Sequence, residues 1–256
     1  MPAPALRLLL TALLNVCLGV ALGAETRVAL VIGNGNYGSN GVMRGAATDV
    51  ALVAGALRGL DFQVTELVDV NRAALLAGIR DFAARLDDAD IALVYYTGYG
   101  VQNGGESYLI PVDARLQGPE RLYFESVALT KDILTPMVRG NARVNLVFLD
   151  AARAEPYSRR WVLPKGVPRP VGLAAPDPLE GFAIGLSTVP GGPALPYKGA
   201  AASPYATALA AELAEPGQTL ESLLQAVSLQ VFEATDGVQV PWSALSPQEG
   251  SLVLHP

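Results

Sequence analysis

Residues 144–149 read VNLVFL, an apolar run broken only by Asn145, and the run stops at Asp150. A strand that is apolar on nearly every position has both faces covered, the condition of a central strand in a parallel sheet. Such a strand delivers its next residues, Asp150-Ala151-Ala152-Arg153, to the carboxyl edge of the sheet, where ligands and catalytic groups of open α/β sheets gather. The pattern recurs upstream. Residues 27–32 contain VALVI and end at Gly33, and residues 91–96, IALVYY, end in Thr97-Gly98-Tyr99-Gly100. Glycines on both sides of Tyr99 let the backbone turn sharply there and let other groups approach it.

Helical spacing fills the intervals. Val50, Val53, Ala54 and Leu57 share one face of a helix over 46–60, and Leu75, Ile79, Phe82 and Leu86 share a face of the next, with Asn71 as its N-cap. A second strand is expected over 63–67, a hairpin over 101–113 turning at Gly104-Gly105, and a fifth strand over 182–189. Residues 122–127 read as irregular, and Thr130 as the cap of a short helix reaching Met137. Ser203-Pro204 and Thr219 open the last two helices. Residues 240–242 read as a turn and 251–254 as a closing edge strand. Alternating strands and helices predict one doubly wound, mostly parallel sheet of about six strands flanked by helices. Residues 153–181 interrupt it with a Pro/Arg-rich loop; loops of that length are usually functional or disordered.

The first 24 residues read as a separate unit, a secretory signal peptide. Arg7 precedes an apolar run over 8–22, and small residues stand at Ala21, Gly23 and Ala24. Cleavage is expected after Gly23 or Ala24, leaving a single domain over 25–256 in the periplasm or outside the cell. The run is shorter than the ~20 apolar residues of a spanning helix and contains Asn15, so no stable membrane span is expected. Removal takes Cys17, the only cysteine, and leaves His255 as the only histidine. It also takes Arg7, moving the net charge from −6 to −7. That acidity argues against nucleic acid and anionic membranes as partners.

Two local motifs invite chemistry and fit it poorly. Gly33-Asn34-Gly35-Asn36-Tyr37-Gly38 matches the dinucleotide fingerprint, with Glu66 and Asp69 as candidate ribose acids. The fingerprint requires the glycine loop to open directly into a helix, whereas the helix here begins near Ala46. Asp87, Asp88 and Asp90 lie close together but lack the spacing and glycine turn of a calcium loop. No metal or other cofactor is expected.

In order along the chain, RVALVIGNGNY, the helix carrying Asp49, ADIALVYYTGYG, GGESYLIPVDA, RVNLVFLDAARAEP, SPYATAL and QVPW resemble the caspase-like domain of bacterial metacaspase-type proteins. The resemblance spans about residues 26–254 and implies the caspase-like six-stranded α/β fold. The family cleaves peptides with a His–Cys dyad: a thiolate attacks the carbonyl and an imidazole carries the proton. The positions that match the dyad are Tyr99 and Ala152. A methyl group cannot attack a carbonyl, and a phenol of pKa ~10 is a poor base near neutrality.

The resemblance further implies that Asp150 lines a pocket for a basic side chain. The second pocket acid of the family aligns loosely with Asn34, and Arg153 matches the basic residue after the cysteine. The reading that follows is an exported caspase-fold pseudopeptidase that binds a protein or peptide, in the vestigial cleft or on the 153–181 loop. The alternative is a cysteine-type endopeptidase by homology, or a residual peptidase with a non-standard nucleophile. Thr97 and Ser187 are near strand ends, but neither has a histidine to pair with.

Overall fold

The structure, a computed structural model, describes residues 25–151, 155–177, 179–195 and 199–256. In chain order its strands are β1 (Arg27–Gly33), β2 (Phe62–Val68), β3 (Ile91–Thr97), β4 (Gly100–Asn103), β5 (Glu106–Leu109), β6 (Val127–Ala128), β7 (Val144–Asp150), β8 (Phe182–Leu186) and β9 (Trp242–Leu245). Its α-helices are α1 (Ala46–Gly59), α2 (Arg72–Ala83), α3 (Leu122–Glu125), α4 (Thr135–Arg139), α5 (Pro204–Ala214), α6 (Leu220–Ala234) and α7 (Pro247–Gly250).

Six strands form the main sheet in the order β2-β1-β3-β7-β8-β9. All neighbours run parallel except β8 and β9. This is the mostly parallel, helix-flanked sheet of a caspase-like α/β fold. β1, β3 and β7 are the strands with the longest apolar runs, and they occupy the interior of the sheet as that pattern requires. Their side chains alternate between two cores. Val28, Leu30 and Ile32 meet Leu75, Ile79 and Phe82 of α2 on one face. Ala29 and Val31 meet Val50, Val53 and Leu57 of α1 on the other, where α5 and α6 also pack. A one-residue slip of register would exchange the two faces, so the pairing is fixed by both cores at once.

Three helices begin where the sequence places their caps. Asn71 accepts from Ala74 N at 2.9 Å, Ser203 from Ala206 N at 2.9 Å and Thr219 from Ser222 N at 3.2 Å. Replacing Asn71 by Ala is expected to cost about 1 kcal/mol in urea denaturation. An unchanged midpoint would show that Asn71 contributes nothing as a cap.

Several local expectations are corrected. The closing edge strand is β9, within and just beyond the expected turn, and not 251–254. Trp242 and Ala244 of β9 stand opposite Leu186 and Ile184 and extend the apolar face of β8. Residues 251–254 instead close over the start of α6, through a bridge between Thr219 and Val253 and a bond from Leu220 N to Leu252 O. Residues 122–127 are ordered as α3 and the beginning of β6, and β6 adds to β4 and β5 as a small separate sheet. Thr130 does not cap a helix. A π-helical turn over Leu129–Leu134 precedes α4. Among the described residues no helix is long and apolar enough to cross a membrane.

Candidate functional site

The parallel strands β1, β3, β7 and β8 all end on one edge, and their exits build the site. Register pairs Gly33 with Thr97 and Thr97 with Asp150, so three loops emerge side by side.

The loop after β1 is held from below. Asp69, in a left-handed backbone conformation with φ of 52°, accepts from Gly35 N at 2.7 Å and Asn36 N at 2.8 Å. Those are amides that a phosphate on a glycine loop would use, and α1 starts only at Ala46. The dinucleotide fingerprint is therefore a match of letters without the geometry. Glu66, the other candidate ribose acid, pairs with Arg58 on the surface. Asn34 is fully buried and ties two segments together: Val70 N donates to its Oδ1 at 3.0 Å, and its Nδ2 donates to Ile110 O at 3.2 Å.

The loop after β3 carries Tyr99 on a rigid main chain. Tyr99 N donates to the Tyr37 hydroxyl at 2.8 Å, and the Tyr96 hydroxyl is 3.0 Å from Tyr99 O. Ile110 N also donates to Tyr99 O at 3.0 Å. The flanking glycines are required by close approach. A Cβ on Gly98 would be 2.4 Å from the Tyr96 hydroxyl, and one on Gly100 would be 2.8 Å from Ala151 O. Tyr99 itself is half-buried, with its ring centroid 4.4 Å from that of Tyr37 and 6.4 Å, edge-on, from that of Tyr157. Aromatic pairs in such arrangements add ~0.5–1.5 kcal/mol beyond burial. Tyr37 and Tyr157 are kept protonated far into the alkaline range, chiefly by burial and then by neighbouring tyrosines.

Asp150 ends β7 with 1% exposure. It faces the α1–α5 side of the sheet, where burial first and its own charge second push the Tyr205 hydroxyl upward. The Tyr205 hydroxyl has no hydrogen-bond partner among the described residues. A second buried carboxylate approaches from the same side. Asp49, on α1 and wholly buried, accepts from Thr97 Oγ1 at 2.9 Å and from Ser203 N at 2.8 Å. In the sequence Asp49 enters only through the family resemblance. Its signal was an acid on the apolar face of α1, one residue before Val50.

Ala152 and Arg153 lie outside the described residues. Ala151, just before them, is buried and has its carbonyl against Gly100. The structure thus brings Tyr99, Asp150 and Ala151 together at one edge, while Asn34 sits beneath the neighbouring loop. His255 is elsewhere. Arg27, the first residue of β1, donates to Leu254 O at 2.7 Å, which puts the C-terminal residues at the amino edge of the sheet. The length of β1, on the order of 20 Å, separates that edge from Tyr99.

The Pro/Arg-rich segment is a packed structure over much of its described length. Tyr157, Trp161 and Leu173 are buried, and Trp161 Nε1 donates to Leu116 O at 2.7 Å. Glu155 accepts from the backbone of Tyr157 and Ser158. Aromatic residues among the prolines were the available signal for this anchoring. Among the described residues no group of three or more His, Cys, Asp or Glu side chains could hold a metal ion.

Comparison with known proteins places this geometry in context. Residues 26–250 match the family model of the caspase domain. The human (Homo sapiens) mucosa-associated lymphoid tissue lymphoma translocation protein 1 is 33% identical over 130 residues, which is 51% of this chain and 15% of that protein. Its Mus musculus homolog is 32% identical over 130 residues, with the same coverage. The match therefore spans about half of this chain and a small part of the curated relatives.

Proposed function

This chain belongs to the caspase-domain family, and we propose that it is a disarmed member: an exported protein that holds a polypeptide at the carboxyl edge of its sheet without cutting it. One observation carries the reading. The family-matched residues 26–250 contain neither a cysteine nor a histidine. Cys17 precedes them and His255 follows them. A cysteine peptidase needs a thiolate to attack the carbonyl and an imidazole to carry the proton. Tyr99 stands where the resemblance puts the imidazole, and Ala152 where it puts the thiol. His255, at the opposite edge of the sheet, is too distant to serve. Export rests on Arg7, the apolar run over 8–22 and the small residues that follow it.

The charge beneath the edge selects the ligand. Asp150, where the resemblance puts an acid of the pocket for a basic side chain, ends β7 at this edge, so an arginine or lysine side chain is favoured over an acidic one. Family membership favours a second reading, a residual endopeptidase with an unusual nucleophile. The edge hydroxyls are poor candidates for that. Thr97 Oγ1 donates to Asp49, and Ser187 Oγ is buried with no hydrogen-bond partner among the described residues.

The purified protein is expected to release no fluorophore above buffer from peptides carrying Arg, Lys or Asp before the scissile bond. The Arg and Lys peptides are expected to bind, by fluorescence anisotropy, and the Asp peptide not to. Turnover that survives thiol-reactive and metal-chelating controls would overturn inactivity. Failure to bind the Arg and Lys peptides would overturn the binding role.

A further inference from the structure

The segment over 156–171 is the most basic stretch of an acidic chain. It holds Arg159, Arg160, Lys165 and Arg169 and no Asp or Glu, in a protein of net charge −6. All four cations are exposed, and among the described residues none takes part in an ion pair. Three apolar side chains stand among them: Val162 at 95% exposure, and Val167 and Val171 at 50% each.

This surface is built on a frame. Trp161 and Tyr157 anchor one end in the core below. A tight turn, Val167 N to Pro164 O at 3.1 Å with Gly166 at φ of 87°, holds Lys165 at its tip. Arg169 donates to the carbonyls of Ser158 and Trp161. Arg160 donates to Asn40 at 3.0 Å and lies 5.5 Å from the centre of the Tyr157 ring. Gln102 N, on β4, fastens the far end by donating to Gly172 O at 3.0 Å. Prolines at 164, 168 and 170 stiffen the span between. Preorganised charge binds with less ordering cost than the same residues on a flexible tail.

We infer that this basic, valine-studded loop is a docking surface for an acidic polypeptide segment whose carboxylates alternate with apolar side chains. Charge complementarity supplies the sign, and the exposed valines supply the demand for apolar partners. The two other anionic surfaces fit less well. Membrane-surface binding uses large apolar side chains, and the segment's tryptophan is buried. Single-stranded nucleic acid wants exposed aromatic platforms, which the loop lacks, and the rest of the chain repels phosphate. The loop adjoins the edge, with Tyr157 edge-on to Tyr99, but its acidic ligand is opposite in charge to the basic one proposed for that edge, so the two readings fail separately.

The test is fluorescence anisotropy with the purified protein and a fluorescein-labelled peptide of alternating glutamate and leucine. Phosphatidylglycerol vesicles and single-stranded DNA serve as the other arms. Binding to the peptide is expected to weaken about tenfold between about 50 and about 300 mM salt. R159E/K165E is expected to weaken it at least about tenfold, and V162S several-fold, with unchanged circular dichroism. These residues are exposed, so the variants leave the core intact. No binding at low salt, equal binding by R159E/K165E, or tighter binding to vesicles or DNA than to the peptide would each overturn the proposal.

Discussion

The Tyr99→His/Ala152→Cys double variant is expected to hydrolyse Arg or Lys peptides at least about 100-fold faster than the unmodified protein, which corresponds to about 2.7 kcal/mol of barrier. Each single variant is expected to remain at background. Dyad members act as a unit: a thiol without a base stays protonated, and an imidazole without a nucleophile has nothing to activate. The scaffold around Tyr99 favours this result. The bonds that fix its backbone come from Tyr37, Tyr96 and Ile110, and none of them uses the Tyr99 ring. An imidazole placed there inherits the same main chain between the same two glycines. It gives up the stacking on Tyr37, at a cost of ~0.5–1.5 kcal/mol. Release of fluorophore, and its loss on alkylation with iodoacetamide, is the measurement. A double variant that folds to the same circular dichroism spectrum and stays silent would sink the assignment of these positions to the vanished dyad.

What could be read from residues alone followed the range of the interactions involved. β1, β3 and β7 declare themselves because burial on both faces removes polar residues locally, along a handful of consecutive positions. Asn71, Ser203 and Thr219 are legible as caps because a cap bonds within three residues of itself. The edge strand was misplaced because Trp242-Ser243-Ala244-Leu245 and Ser251-Leu252-Val253-Leu254 are both short and partly apolar. The choice between them is made by Leu186 and Ile184, which offer a face to β9.

The site was harder to read, for the same reason. Asp69 completes the loop after β1 from 34 residues away, and Ser203 reaches Asp49 across 154. Neither spacing leaves a periodic mark. The Pro/Arg-rich segment resembles a loose tether by composition, and contacts distant in sequence, Trp161 to Leu116 and Gln102 to Gly172 among them, turn it into a frame.

Asp49→Ala is expected to cost about 3–5 kcal/mol, a large fraction of the stability of a single domain. Asp49 joins three elements at the floor of the cleft: α1, on which it sits, the exit of β3 through Thr97, and the start of α5 through Ser203 N. Ser203 is also the cap of α5, so its amide is the anchor of a helix that covers much of the second core. Alanine leaves that buried amide without this acceptor and removes a charged partner from the Thr97 hydroxyl. A buried donor left unsatisfied costs ~1–3 kcal/mol, and a lost bond to a charged group ~1.5–3. Asn keeps the size and one acceptor oxygen, so Asp49→Asn is expected to cost ~1–2 kcal/mol, and Thr97→Val about 1. Urea denaturation with an unchanged slope separates these values. The order Ala, then Asn, then Val follows from Asp49 acting as a strut between α1, β3 and α5. Ala and Asn variants of equal stability, near that of the unmodified protein, would show that Asp49 does not brace the fold.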